Sequence, residues 1–250
     1  MPATIPLTGG VRWINECFPH EDAHEHVSVY LIETETAAIL IDSGSFYHRE
    51  AIAERIDQAT GGDGPEAIVL SHSDYPHAGN ISTIRDRWDD VELVASSGSP
   101  ELQGLSDAQR CTIGDSRTVL DRRFSFVDPP LADRSHTAWI YDHGSGVLFT
   151  ADGFGSYHEP ADCDRTSRQF EDNVPRETIY QYHANNLAWL RYVDPEKLEA
   201  ALASIFETYD ISYVAPIHGH PISGRELPEF TNRLVDVAGC IASEYEVPEP

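Results

Sequence analysis

Residues 68–80 read IVLSHSDYPHAGN, and this stretch decides the fold because an apolar run leads directly into a cluster of histidines and aspartates. The run 67–70 has the length and the branched side chains of a buried β-strand. His72, Asp74 and His77 follow it within a few residues. Since ligands of open α/β folds bind at the ends of strands, the stretch predicts a site at a strand end.

Other apolar runs end in the same way. The residues that follow them are Asp42 after AAILI, Asp133 and His136 after FSFVDPP, Asp152 after VLFTA, and His218 after YVAPI. Imidazole and carboxylate ligands suit iron, zinc or manganese, and a carboxylate can bridge two metal ions. Groups behind the ligands are needed to orient the imidazoles. The repeated placement therefore predicts a metal site, and no cysteine stands near these residues to indicate a soft metal.

The order of the predicted elements indicates the architecture. Residues 27–33 and 37–42 predict two strands of a meander, and the middle of the chain contains further short strands. Helices are predicted over 47–60, 79–88, 177–192, 195–209 and 227–243. Two sheets flanked by helices accommodate this order, so we expect one α/β domain over residues 1–250, built as a four-layer αβ/βα sandwich.

The charge of the chain is strongly acidic. Asp and Glu number 42 against 17 Lys and Arg, which gives a formal net charge of −25. Such a surface repels nucleic acid and anionic membranes, so we expect neither as a partner. Acid spread along the chain favours a halophilic protein in a high-salt cytoplasm. No apolar run reaches the roughly 18 residues of a membrane span, and residues 1–10 do not resemble a secretory signal, so we expect a cytoplasmic location.

The cysteines lie far apart in the chain: Cys17, Cys111, Cys163 and Cys240. They form no C-x-x-C pair, which excludes a zinc ribbon, and their density does not suggest a disulfide framework. Free thiols are therefore expected. The acidic segment 19–26, which contains His20, His24 and His26, is expected to form a solvated loop.

Residues 68–80 resemble the metallo-β-lactamase signature, usually H-x-[HE]-x-D-H-x-G. ILIDSG around Asp42, LFTADGFG around Asp152 and APIHGHP around His218 are similar to the family's other motifs, in the same order across nearly the whole chain. Segments 151–155 (ADGFG) and 180–186 (YQYHANN) most resemble the flavodiiron and oxygen-binding diiron branch. The chain is thus identified as a member of this superfamily, without the flavodoxin-like domain of true flavodiiron proteins.

The resemblance implies two metal positions. The first would be held by His72, Asp74, Asp133 and a bridging Asp152. The second would be held by His77, His218 and Asp152, with Asp42 supporting a ligand from behind. Pro76 occupies the position where the family has an aspartate, so the second metal loses one ligand. The family's next ligand position falls on Asp133, and His136 is its competitor three residues later.

Three functions remain open at this stage. The first is a diiron oxidoreductase-like protein that binds or reduces dioxygen or a related small oxidant, with an external electron donor. The second is a hydrolase of esters, thioesters, lactones or phosphodiesters that uses a metal-bound hydroxide. The third is a non-catalytic scaffold with a decayed site. Two irons are expected, or one if Pro76 empties the second position, with zinc or manganese as alternatives. By analogy with the branch, a homodimer is expected.

Overall fold

The computed structural model describes residues 4–98 and 105–245, so the outermost residues of the expected domain lie outside the described part. The first strands form a seven-stranded sheet in chain order. They are β1 (Ile5–Pro6), β2 (Val11–His20), β3 (Ala23–Glu33), β4 (Ala38–Ile41), β5 (Ala67–Leu70), β6 (Glu92–Ser96) and β7 (Gln109–Cys111). The remaining strands form a six-stranded sheet in the order β13-β12-β11-β10-β9-β8. They are β8 (Ser116–Val119), β9 (Arg122–Val127), β10 (Trp139–Asp142), β11 (Val147–Phe149), β12 (Tyr213–Ala215) and β13 (Ile222–Ser223).

Within the described residues, six α-helices cover the sheets. They are α1 (Arg49–Thr60), α2 (Tyr75–Ala78), α3 (Ile81–Arg87), α4 (Arg176–Asn186), α5 (Pro195–Thr208) and α6 (Leu227–Glu244). Strands β3 and β4 pair antiparallel, as the predicted meander requires, whereas β4, β5 and β6 are parallel. The helices α1 to α3 provide the crossovers that parallel strands need.

Three apolar layers separate four layers of secondary structure. Between the two sheets, Trp13 and Ile41 of the first sheet pack in one cluster with Phe126 and Phe149 of the second. On the outer face of the first sheet, α1 and α3 pack on alternating residues of β3 to β6. On the outer face of the second sheet, α4, α5 and α6 cover β9 to β12. The order helices, sheet, sheet, helices confirms the four-layer αβ/βα sandwich. It also explains why the inner strands AILI and AIVL are apolar on both faces.

Several local predictions were wrong. The helix predicted over 177–192 breaks at Leu187, where the backbone leaves the helical region and a 3₁₀ turn (Ala188–Tyr192) follows. The helix predicted over 79–88 is present as α3, but the short helix α2 that precedes it was not predicted. Segment 19–26 is not a solvated loop, because β2 and β3 continue through it as a hairpin and His26 is fully buried.

The cysteines also differ from the expected free thiols. Cys17 on β2 forms a disulfide with Cys163, across a sequence separation of 146 residues. Among the described residues, Cys111 and Cys240 are free. The pairing escapes sequence reasoning because nothing local in the chain links two positions so far apart.

In the described part of the chain, no helix is both long and apolar enough to cross a membrane. The longest helix, α6, keeps a buried face of Leu, Phe, Val and Ile residues on the second sheet and turns its polar residues outward.

Candidate metal centre

Strands of both sheets end at one edge of the sandwich, and the polar residues found in the sequence meet there. Strands β4 and β5 are parallel, and so are β11 and β12, so the residues that follow each pair share an edge. Strand β9 runs in the direction of β11, because both are antiparallel to β10. The edge surrounds a cavity of about 320 Å³. Its lining residues are Glu25, His72, Asp74, Pro76, His77, Asp133, Arg134, Asp152, Asn186 and His218.

The carboxylate of Asp152 lies at the centre of this cavity wall. Its Oδ2 is 3.4 Å from Nε2 of His72 and 3.4 Å from Nε2 of His77. Its Oδ1 is 3.3 Å from Nε2 of His218. One carboxylate therefore contacts three imidazoles, and a carboxylate placed in this way can be shared by two metal ions.

The donor set fits a metal. Nε2 of His72 and Nε2 of His77 are buried and have no hydrogen-bond partner among the described residues. Burying an imidazole nitrogen without a hydrogen-bond partner costs free energy, so these two nitrogens require an explanation. A bound metal ion would provide one. Two groups of donors come together closely enough to hold a cation: His72, His77 and Asp152, and His72, Asp74 and Asp133. His72 is the residue that the two groups share.

Asp42 orients His77 from behind. Its Oδ2 is 2.9 Å from Nδ1 of His77, and its Oδ1 accepts the backbone N–H of Ser71 at 2.8 Å. The hydroxyl of Ser71 donates to the same carboxylate at 2.8 Å. With Nδ1 engaged by a carboxylate, Nε2 of His77 is left to face the cavity. The sequence prediction placed Asp42 in this supporting position, and the geometry puts it there.

Glu25 stands in the same relation to His218, and sequence reasoning missed it. Nδ1 of His218 donates to the backbone carbonyl of His26 at 2.7 Å and lies 2.9 Å from Oε1 of Glu25. Glu25 is buried near the start of β3, so its carboxylate is not a solvated charge. The sequence signal that could have found it is the side-chain alternation of a β-strand over residues 23–33. This alternation includes the polar residues 23–26, which were predicted to lie in a loop.

The structure separates the two competing residues of segment 133–136. Asp133 Oδ2 is 3.5 Å from Nε2 of His72, and its Oδ1 accepts the hydroxyl of Thr137 at 2.8 Å. The imidazole of His136 instead hydrogen-bonds through Nε2 with Ser73 Oγ at 3.2 Å, and its ring centre is 5.9 Å from that of His72. The geometry therefore favours Asp133 over His136 as the donor that faces the cavity.

Arg134 and Pro76 complete the rim of the cavity. Nε of Arg134 donates to Asp74 Oδ2 at 2.8 Å and is 3.8 Å from Asp133 Oδ2. The guanidinium thus partly neutralises two carboxylates that line the same cavity. Pro76 is a lining residue in the first turn of α2, and it places an apolar ring where a donor would otherwise stand.

The charges of the metal-free site are strongly coupled. Burial lowers the pKa of His77, but the carboxylates of Asp42 and Asp152 outweigh it and raise that pKa to about 10. Burial raises the pKa of Asp152, yet His77, His218 and His72 together hold it well below its usual range. Burial and the charge of Asp152 raise the pKa of Asp133 to about 6. A carboxylate kept ionised among imidazoles is prepared for a cation.

Strained backbone flanks two of these carboxylates. Asp42 has φ 58° and Ala151, directly before Asp152, has φ 50°. A residue other than glycine in the left-handed region costs about 1–2 kcal/mol, and such residues concentrate at functional sites. The backbone is therefore strained in the turns after β4 and β11, at the positions that orient the carboxylates of Asp42 and Asp152.

Helix α4 closes the cavity from the side of the second sheet. The hydroxyl of Tyr182 donates to the backbone carbonyl of Asp152 at 3.2 Å. Asn186 lines the cavity and donates from Nδ2 to the carbonyl of Tyr182 at 2.9 Å. Segment 180–186, which the sequence singled out by resemblance, thus lies against the metal-facing loop.

Comparison with known proteins agrees with this arrangement. The profile of the family described as "Metallo-beta-lactamase superfamily" matches residues 24–203. A hydroxyacylglutathione hydrolase from Xanthomonas euvesicatoria is 26% identical over 239 residues, which cover 87% of this chain and 89% of that protein. The type A flavoprotein fprA from Rhodobacter capsulatus is 26% identical over 261 residues, covering 92% of this chain and 55% of that protein.

Solved structures show the same fold. The flavodiiron protein from Giardia intestinalis superposes with a TM-score of 0.75 at 18% identity, covering 94% of this chain and 59% of that chain. The chain thus spans a little more than half the length of the two flavoprotein relatives, and nearly the full length of the hydrolase.

Proposed function

The chain belongs to the metallo-β-lactamase superfamily, and on that premise we propose that it is a diiron oxidoreductase-like protein that binds or reduces dioxygen or a related small oxidant. The observation that carries the proposal is Asp152, whose Oδ2 lies 3.4 Å from Nε2 of His72, assigned to the first metal position, and 3.4 Å from Nε2 of His77, assigned to the second. A carboxylate presented in this way suits a pair of metal ions better than a single one.

The side chains divide between the two ions as follows. His72, Asp74 and Asp133 would hold one iron, and His77 and His218 would hold the other, with Asp152 shared. When bound, an iron pair supplies electrons and an open coordination position for a small oxidant. The protein's own contribution is to fix the imidazoles through Asp42 and Glu25 and to keep Asp152 ionised.

Iron is favoured by the chemistry of the donors. Four carboxylates and three imidazoles line the cavity, and no sulfur ligand is among its lining residues. Such oxygen- and nitrogen-rich sites suit iron or manganese, although zinc also accepts them. The flavoprotein and flavodiiron relatives support this choice. We propose that its electrons come from an external electron donor. The homodimer and the cytoplasmic location stay predictions.

A metal-dependent hydrolase is the second candidate. It is favoured by the Xanthomonas hydroxyacylglutathione hydrolase, which this chain covers almost from end to end. A metal ion in the same cavity would lower the pKa of a bound water toward about 7, and such a hydroxide attacks an ester or thioester. The guanidinium of Arg134 at the rim would attract an anionic substrate.

Metal content per chain tests these alternatives. The chain is produced with both iron and zinc supplied, and elemental analysis is done on the wild type, on Asp152→Ala and on the exposed control Asp128→Ala. About two irons in the wild type and in the control, with loss of both in Asp152→Ala, supports the proposal. One zinc with turnover of a generic thioester supports the hydrolase. A wild-type chain without metal rejects both enzymes and leaves the scaffold.

A further inference from the structure

A second group of metal-binding side chains lies outside the candidate metal centre. It consists of Cys17, His24, His158 and Cys163, whose donor atoms all lie within 4.8 Å of one another. The disulfide between Cys17 and Cys163 occupies this group in the structure. We propose that, when the disulfide is reduced, these four side chains form a tetrahedral site for one zinc ion, so that the chain exchanges a metal for a disulfide at this place.

The two imidazoles converge on the same sulfur. Nδ1 of His24 is 3.3 Å from Sγ of Cys17, and Nε2 of His158 is 3.2 Å from it. A disulfide sulfur carries no proton, so it satisfies neither nitrogen well. In a Cys₂His₂ zinc site with ordinary bond lengths, neighbouring donors are roughly 3.3–3.8 Å apart. The nitrogen–sulfur distances of 3.2 and 3.3 Å therefore lie close to the lower end of this range.

The backbone holds these four residues in place independently of the disulfide. Cys17 on β2 pairs with His26, and His24 lies diagonally across the same hairpin. His24 and His158 exchange two backbone hydrogen bonds of 2.8 and 3.0 Å. The carbonyl of Cys163 accepts from Nδ2 of Asn15 at 2.6 Å. Because strand pairing and side-chain contacts fix all four residues, the cage remains when the sulfur–sulfur bond is broken.

His26 strengthens the cage from the interior. Its Nε2 lies 2.7 Å from the carbonyl of Cys163, and its ring stacks on that of His158 with centroids 3.9 Å apart. These contacts fix the loop that carries one proposed ligand and the ring that carries another. His158 is itself buried, whereas the other three members of the group are half-buried, so a metal ion has access from the surface.

The proposed exchange balances as a two-electron step. A dithiol reductant gives two electrons and two protons to the disulfide, which yields the thiols of Cys17 and Cys163 and the cyclic disulfide of the reductant. A divalent ion then displaces the two thiol protons and is bound by two thiolates and two neutral imidazoles. The net charge of −25 on the chain attracts such a cation to the surface.

Cobalt(II) is used as the probe because cobalt(II) bound by thiolates has a characteristic absorption band. The chain is reduced with a dithiol, freed of reductant without oxygen, and titrated with cobalt(II) beside an oxidised sample. We expect the reduced chain to bind about one more ion and to show a thiolate-to-cobalt charge-transfer band. The candidate metal centre offers only nitrogen and oxygen donors and contributes no such band in either sample.

Variants locate the signal. Cys17→Ser with Cys163→Ser removes the band, whereas Cys111→Ser with Cys240→Ser, which alters the other two cysteines, keeps it. His24→Ala weakens binding at this site and leaves both sulfurs in place. The comparison of reduced and oxidised wild type decides the question even if a variant fails to fold. Equal metal content and no thiolate band in the reduced wild type would overturn the proposal and leave a purely structural disulfide.

Discussion

The carboxylate of Glu25 lies 2.9 Å from Nδ1 of His218, although Glu25 is on β3 of the first sheet and His218 follows β12 of the second. Asp42 holds His77 in the same way at 2.9 Å. Both imidazoles that face Asp152 from the proposed second metal position are thus backed by a buried carboxylate. This pairing fixes which nitrogen of each ring faces the cavity.

Replacing the carboxylate behind His218 tests its role. Glu25→Gln keeps the shape of the side chain but removes the charge that steadies the imidazole. We expect the affinity for the second metal ion to fall about 10–100-fold, as is usual for groups behind a metal ligand. Metal titration followed by calorimetry measures the effect. Glu21→Gln, an exposed residue of the same hairpin, serves as the control, and equal losses in both variants would contradict the assignment.

The choice between Asp133 and His136 is open to a direct comparison. Asp133→Asn removes a carboxylate that faces His72, and we expect the metal content to fall by about one ion per chain. His136→Ala removes only the contact with Ser73 and is expected to leave metal content unchanged. Elemental analysis of the two variants in parallel distinguishes them. Metal loss confined to His136→Ala would reverse the assignment.

Pro76 offers a gain-of-ligand experiment. Pro76→Asp places a carboxylate on the lining of the cavity, in the first turn of α2 where a negative charge is favourable. We expect the second metal ion to bind about tenfold more tightly or more, since each added ligand of this kind strengthens a metal site. Pro76→Ala removes the ring without adding a donor and should bind as the wild type does. An equal gain in both variants would show that the ring, rather than the missing ligand, limits binding.

Metal binding is expected to depend on pH through His77. The pKa of this imidazole is raised to about 10 in the metal-free chain, so a metal at Nε2 must displace a proton at neutral pH. Affinity should therefore increase by about tenfold for each pH unit as the pH rises from about 7 to 9. Calorimetry in buffers of different ionisation enthalpy counts the released proton. Asp42→Asn lowers that pKa and should flatten the dependence.

The same pKa governs the stability of the metal-free chain. His77 has a higher pKa in the folded chain than its ordinary value of 6.5, so its protonation stabilises the fold. This contribution is complete below about pH 6.5 and is lost as the pH rises through about 10. Urea unfolding of the chelated chain across this window measures it. A free energy of unfolding that rises through the window in the wild type would contradict the assigned shift.

A stability prediction concerns the hairpin between β10 and β11. The fully buried carboxylate of Asp142 accepts from Nε of Arg122 at 2.8 Å and from its Nη2 at 2.9 Å. Removing one partner of a buried ion pair leaves the other charge uncompensated. Asp142→Ala should therefore lower the free energy of unfolding by about 3–5 kcal/mol. Denaturant unfolding, with exposed Asp128→Ala as the control, checks this value.

The candidate ligands could be selected from the sequence because they follow apolar strands, and the strands β4, β5, β11 and β12 are buried along their whole length. The same local pattern predicts the two sheets. Strand β2 lacks that pattern, since VRWINECFPH mixes polar and apolar residues, and it was not predicted. Glu25 was missed because its role can be identified only from the residue that it contacts, and that residue, His218, is far away in the sequence. Long-range pairing also hid the disulfide.

His72 and His77 follow a strand of the first sheet, whereas Asp133, Asp152 and His218 follow strands of the second. An ion bound by both sets is a cross-link between the two halves of the sandwich, and the Cys17–Cys163 bridge ties β2 to the loop after His158 near the same side. Both links shorten the path between segments that are far apart in the chain, which restricts the unfolded ensemble. The edge that holds the candidate metal centre is therefore also the place where the two sheets are cross-linked. When the metal ion and the disulfide are in place, amide hydrogen exchange along β5 and β11 should slow together.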